Sequence, residues 1–181
     1  MARSNHAGAL LAVGILLAAL AGCADEPADP AALGDPCGLI SDEMLARIAP
    51  GSTREPSQSG SGTSGSKQCA VDLTSGDGSL RGDLAVRVGV DGHDSFDEAW
   101  RIGRCDRIEA RVTTDGPGDV SCMVVKPYAN GEARIDGWAW VGDDYEAQVA
   151  YQLVDPQTLP PSAERDLRNL LAAAVDSLPR S

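Results

Sequence analysis

Positive charge, histidine and aromatic residues are all scarce in this chain. Only Lys67 and Lys126 are lysines among 15 basic residues, which stand against 27 acidic ones for a formal net charge of -12. A nucleic-acid binder neutralises phosphates with clustered Lys and Arg, so this balance argues against nucleic acid as a partner. His6 and His93 are the two histidines. None of the five cysteines forms a C-x2-C pair or has a histidine beside it, so no zinc or other metal site is expected, and no cofactor is implied. Aromatics make up only 4% of the residues. A membrane-spanning helix needs about 20 consecutive apolar residues. The longest apolar run, residues 7–21, is shorter and carries Gly8 and Gly14.

What is present begins with the pattern of a secretory signal: a charge at Arg3, that apolar run, and small residues before Cys23. Leu20-Ala21-Gly22-Cys23 resembles the bacterial lipobox. The resemblance implies that Cys23 receives a diacylglyceryl group through its sulfur and becomes the first residue of the mature chain. Two acyl chains supply the double hydrophobic signal that stable anchoring requires. Residues 24–36 hold three prolines and four acids and read as a solvated tether. The expected organisation is a lipoprotein signal peptide over residues 1–22, a Pro/Asp-rich tether over 23–36, and one extracytoplasmic domain over 37–179. The expected location is the outer face of the cell membrane, with the lipid on Cys23 as anchor.

Once Cys23 is committed to lipid, Cys37, Cys69, Cys105 and Cys122 remain, an even number in an exported domain. Four cysteines allow three connectivities. The favoured one joins Cys37 to Cys69, across a Ser/Gly-rich stretch, and Cys105 to Cys122, closing a segment of modest length. Ser41-Asp42-Glu43 reads as the capped start of a short helix through Ile48, ended by Pro50-Gly51. Residues 51–66 read as a low-complexity loop. Alternation predicts strands over residues 68–73, 82–90, 107–112, 120–125, 133–141 and 145–154, the last four in an antiparallel meander. Residues 94–104 have a helical pattern with Phe96, Ala99, Trp100 and Gly103 on one face. The strongest periodicity is Leu167, Leu170, Leu171, Ala174, Val175 and Leu178 behind Pro160-Pro161-Ser162, an amphipathic helix that must bury its stripe. The expected fold class is therefore α+β, an antiparallel sheet of about six strands packed by a C-terminal amphipathic helix and shorter helices.

The stretches Asp35-Pro36-Cys37-Gly38-Leu39-Ile40-Ser41, Lys67-Gln68-Cys69-Ala70-Val71 and Ser121-Cys122-Met123-Val124-Val125, ahead of a terminal helix, resemble an actinobacterial family of small secreted lipoproteins of unknown function that open with Pro-Cys-x-Leu. Lysine scarcity with abundant Ala, Gly and Asp fits a GC-rich genome of that kind. The chain departs from the family pattern in its last helix, where residues 162–179 hold no cysteine. The order of elements is also similar to lipoproteins with a Mog1/PsbP-like sandwich. Neither likeness implies catalytic residues.

Catalytic constellations are hard to assemble. His93 sits in Asp91-Gly92-His93-Asp94-Ser95, and sequence neighbours do not converge as a triad does, nor is there a G-x-S-x-G elbow. Asp77 and Asp143-Asp144 lack calcium-loop spacing and read as hairpin-tip acids. Arg81-Gly82-Asp83 spells an adhesion tripeptide too short to carry weight. Trp138 and Trp140 share one strand face and are the candidate ligand-binding residues. With a three-residue turn at Gly142, Asp143 and Asp144 they stand opposite the face of Ile135, Ala139, Val141, Ala147, Val149 and Tyr151. A two-residue turn at Asp143 and Asp144 flips the register and groups them with Ala147, Val149 and Tyr151 instead. Exposed they would mark a binding surface, and burial under a helix is the favoured alternative. The functional expectation is a non-catalytic binding or accessory module of the bacterial envelope, its partner an envelope protein or a small ligand. The alternative is an envelope hydrolase with its site near His93.

Overall fold

A computed structural model describes residues 29–56, 60–62, 65–90, 98–107, 111–113, 115–129, 132–154 and 158–179. Cys23 and His93 lie outside the described residues. The described chain runs through helix α1 (Asp42–Ile48), strands β1 (Ser52–Pro56), β2 (Gly60–Gly62), β3 (Ser66–Ser75) and β4 (Arg81–Val90), helix α2 (Glu98–Arg107), strands β5 (Arg111–Thr113), β6 (Val120–Ala129), β7 (Glu132–Val141) and β8 (Tyr145–Val154), and helix α3 (Ala163–Asp176). The class is α+β as expected. Five antiparallel strands of ten residues, in the order β3-β4-β8-β7-β6, carry the sheet in place of the expected six. The short strands β1 and β2 pair along the free side of β3, and β5 pairs with β6.

Three expectations need correction. The Ser/Gly-rich stretch read as a loop contributes β1 and β2, because β3 would otherwise be an open edge with unpaired backbone groups. The strand expected over 107–112 is only β5, since Arg107 still belongs to α2. The buried residues of α2 are Arg101 and Cys105, not the face of Ala99 and Gly103. The Cys105–Cys122 disulfide fixes that rotation by tying the helix to β6.

One face of the sheet, the inner face, holds the main core. The last helix lays Leu167, Leu170, Leu171 and Ala174 against β7, β8 and β4, as its spacing predicts. Gly137 lies beneath it; a Cβ there would stand 3.2 Å from Leu171 Cδ2 and 3.0 Å from Val149 Cγ2, so a side chain at this position would crowd the contact with α3. Helix α1 starts as read: the Ser41 hydroxyl accepts from the Met44 N–H at 3.1 Å, with Asp42 and Glu43 in the first turn favouring the helix dipole. Met44, Leu45 and Ile48 are buried, and the Tyr151 hydroxyl donates to the Ile48 carbonyl at 2.6 Å. The first disulfide, Cys37–Cys69, joins the segment before α1 to β3. Packing begins within the stretch read as a tether, for Leu33 is buried in the core and its carbonyl accepts from the Lys67 ammonium. No helix among the described residues is long and apolar enough to cross a membrane.

Candidate functional site

The turn between β7 and β8 decides what the opposite, outer face of the sheet displays. Gly142, Asp143 and Asp144 form the three-residue connection, and Val141 pairs with Tyr145. Gly142 takes φ 56°, a left-handed conformation that favours glycine. This register sends Ile135, Ala139, Ala147, Val149 and Tyr151 to the main core and both tryptophans to the outer face.

Helix α2 covers the β6 side of that outer face and reaches Trp140 of β7. A second, smaller core forms there from Cys105, Val120, Cys122, Val124 and Trp140, with Ile102 and Trp138 packed against it. Trp140 is 0% exposed, and Trp138 is partly buried. The pair is therefore not a free aromatic docking face: the disulfide and the Arg101 Nη1 bond to the Gly142 carbonyl, 2.6 Å long, hold α2 over Trp140. The Arg104 guanidinium stands 5.6 Å from the Trp100 ring centre and 6.0 Å from that of Trp140, so the outer side of the small core is closed by cation–π contacts. Neither the Trp138 nor the Trp140 indole N–H, both buried, has a hydrogen-bond partner among the described residues.

Beyond Trp138 the outer face opens, and the strand registers arrange its side chains in rows running across the strands. Gln68, Arg87, Gln148 and Trp138 stand in one row. The next holds Ala70, Ala85, Ala150 and Asp136. After it come Asp72, Asp83, Gln152 and Arg134. Three methyl groups between two rows of longer side chains make a furrow. At about 4.8 Å per strand it extends roughly 10 Å across β3, β4 and β8. It contains a depression of about 200 Å³ lined by Gln68, Ala85, Arg87, Gln148 and Ala150.

Charges of both signs border the furrow. Arg87 Nη2 lies 3.5 Å from Glu146 Oε1. Arg134 holds the buried Asp136 through Nε to Oδ2 at 2.6 Å and Nη2 to Oδ1 at 2.8 Å, closing the β7 end. Burial pushes the Asp83 carboxyl above its ordinary range; nearby Arg134 opposes this, and Asp72, Asp136 and Glu132 add to it. The lining groups are amides, a guanidinium and methyls, which bind by hydrogen bonding and contact. No nucleophile stands among them.

The remaining candidates have structural settings. Asp77 closes the β3–β4 turn, its carboxylate accepting from the Ser75 hydroxyl at 2.6 Å and from the Ser79 hydroxyl and N–H at 2.7 and 2.9 Å; these bonds lower its pKa to about 2. Asp143 and Asp144 are exposed in the β7–β8 turn. Among the described residues no three His, Cys, Asp or Glu side chains gather where a metal ion would fit. Arg81, Gly82 and Asp83 lie within β4, paired on both sides, not at a loop tip. The furrow itself was not visible in the sequence. It depends on β4 lying beside β8, a pairing between segments more than fifty residues apart, which no local pattern announces. No family model matches the chain, and neither the curated proteins nor the solved structures contain a match to it.

Proposed function

We propose that the chain is a lipid-anchored, non-catalytic binding or accessory module on the outer face of a bacterial cell membrane, and that the open half of its outer sheet face is the binding surface. The observation that carries this reading is the alanine-floored furrow between the Gln68-Arg87-Gln148 row and the Asp72-Asp83-Gln152 row. Among the described residues the inner face is covered by α1 and α3 and the β6 side of the outer face, with Trp140, by α2, while the furrow side stays open. Two disulfides support an oxidising, extracytoplasmic setting. The Leu20-Ala21-Gly22-Cys23 sequence supports lipid attachment.

Filling the furrow tests the reading. Ala85→Arg combined with Ala150→Arg should abolish complementation of a deletion strain while membrane abundance and thermal melting stay near wild type. Asn169→Arg, on the exposed side of α3, should complement fully. Full complementation by the filled-furrow variant overturns the proposed surface. A normally abundant His93→Ala variant that loses all function would instead favour the hydrolase alternative, because truncating one side chain should cost a binding module little.

A further inference from the structure

We propose that the occupant of the furrow is a neutral glycan, an inference that rests on the binding-surface reading above. The geometry narrows the ligand by what the face offers and what it refuses. An extended peptide gains most of its affinity by adding main-chain hydrogen bonds to a free sheet edge. Here β4 is paired to β3 and β8, and β8 to β4 and β7, so neither of these two floor strands offers an unpaired backbone edge to extend. Over β4 and β8 a ligand meets side chains.

Those side chains disfavour ions of either sign. An anion drawn to Arg87 meets Glu146, 3.5 Å from the guanidinium, and then Asp72 and Asp83 on the facing wall. A cation drawn to the aspartates meets Arg87 and Arg134. What the walls provide in quantity is mixed donor and acceptor capacity, with Gln68, Gln148 and Gln152 each offering a carbonyl and an amino group. A polyhydroxyl ligand uses both kinds of group at once. The methyl groups of Ala70, Ala85 and Ala150 form a flat apolar strip on which the C–H face of a sugar ring rests. The depression of about 200 Å³ is smaller than a drug-sized pocket and lies on an open face, which suits one or two rings of a chain that continues beyond it. Trp138 ends the donor row. Its indole N–H is buried, so any part of the ring that meets a ligand does so through carbon.

The test uses the full-length lipidated protein in detergent micelles, titrated by calorimetry with maltohexaose, cellohexaose, chitohexaose and mannohexaose. At least one should bind, with affinity little changed between roughly 50 mM and 500 mM salt, since no ion pair forms. Gln148→Ala should weaken that binding about tenfold, the loss of one or two hydrogen bonds, and Ala85→Arg should eliminate it. Absence of binding to all four, binding only to polygalacturonate or to a polylysine peptide, or glycan binding that survives Ala85→Arg, each overturns the inference. The underlying reading is separable. If no glycan binds but the filled-furrow variant still fails to complement, the surface stands and its ligand is of another class; if that variant complements, both fall.

Discussion

Gln148 of β8 stands directly opposite Trp138 of β7, and the boundary between the two halves of the outer face passes between them. On the Trp138 side the sheet is roofed by α2 and its disulfide; on the Gln148 side it is open and floored by alanine. One cross-strand pair thus joins a closed core to the proposed binding surface.

Attachment is the first prediction. Cys23→Ala removes the only thiol at the lipobox, so unprocessed precursor should accumulate in the membrane fraction. Normally cleaved, acylated protein from that variant, detected by mass spectrometry, would refute the lipoprotein assignment.

The second concerns the roof over Trp140. Removing both Cys105 and Cys122 by alanine substitution should lower stability by about 3 kcal/mol, the chain-entropy value for a loop of this length. It should also red-shift tryptophan emission and raise iodide quenching as α2 loosens. Unchanged emission and melting would show that the disulfide does not hold the helix. In the wild-type protein, denatured without reductant, none of Cys37, Cys69, Cys105 and Cys122 should take up a thiol label.

Acid stability supplies the third. Arg47 reaches from α1 to the buried Asp166 of α3, Nε to Oδ2 at 3.1 Å and Nη2 to Oδ1 at 3.2 Å. These hydrogen bonds hold the Asp166 carboxyl below its ordinary pKa, against the opposing effect of burial. A depressed folded-state pKa gives stability that is present above the unfolded value of about 3.9 and is lost as pH falls through the folded one. The stability gap between wild type and Asp166→Asn should therefore be constant above about pH 5 and close below about pH 4. A gap that persists unchanged into acid in urea titrations would contradict the ion-pair account.

The fourth runs in the opposite direction. Asp83 faces Asp72 across the ladder, and burial raises its pKa, so its ionised form weakens the fold at neutral pH. Asp83→Asn should stabilise by roughly 0.2–1 kcal/mol at pH 7. The benefit should fade as pH falls through the raised pKa and Asp83 becomes neutral. Destabilisation at pH 7 in chemical denaturation would mean that Asp83 has a favourable role in the free protein.

Elements with a period were legible in the sequence. The leucine spacing located α3, strict alternation placed β8 at Tyr145–Val154, and Ser41-Asp42-Glu43 located α1. The favoured cysteine pairing is the one present. What stayed hidden depends on tertiary context. The strands β1 and β2 have no hydrophobic pattern and are recruited by the edge of β3. The rotation of α2 is set by Cys105, so Arg101 is buried where local spacing pointed to Ala99 and Gly103. The furrow is assembled from alanines that look inert in sequence until β4 and β8 bring Ala85 and Ala150 side by side.

The most direct test of the proposed surface is photo-crosslinking in living cells, with p-benzoylphenylalanine placed at Thr74, exposed on the outer face one row beyond the Asp72 wall, in the full-length protein and, as a control, at the exposed Asn169 of α3. The benzophenone inserts into C–H bonds of proteins and glycans alike, so the outcome does not depend on the ligand's class. The account predicts a discrete ultraviolet-dependent adduct from position 74 and none from position 169. An adduct from 169 alone, or from neither position, would contradict it.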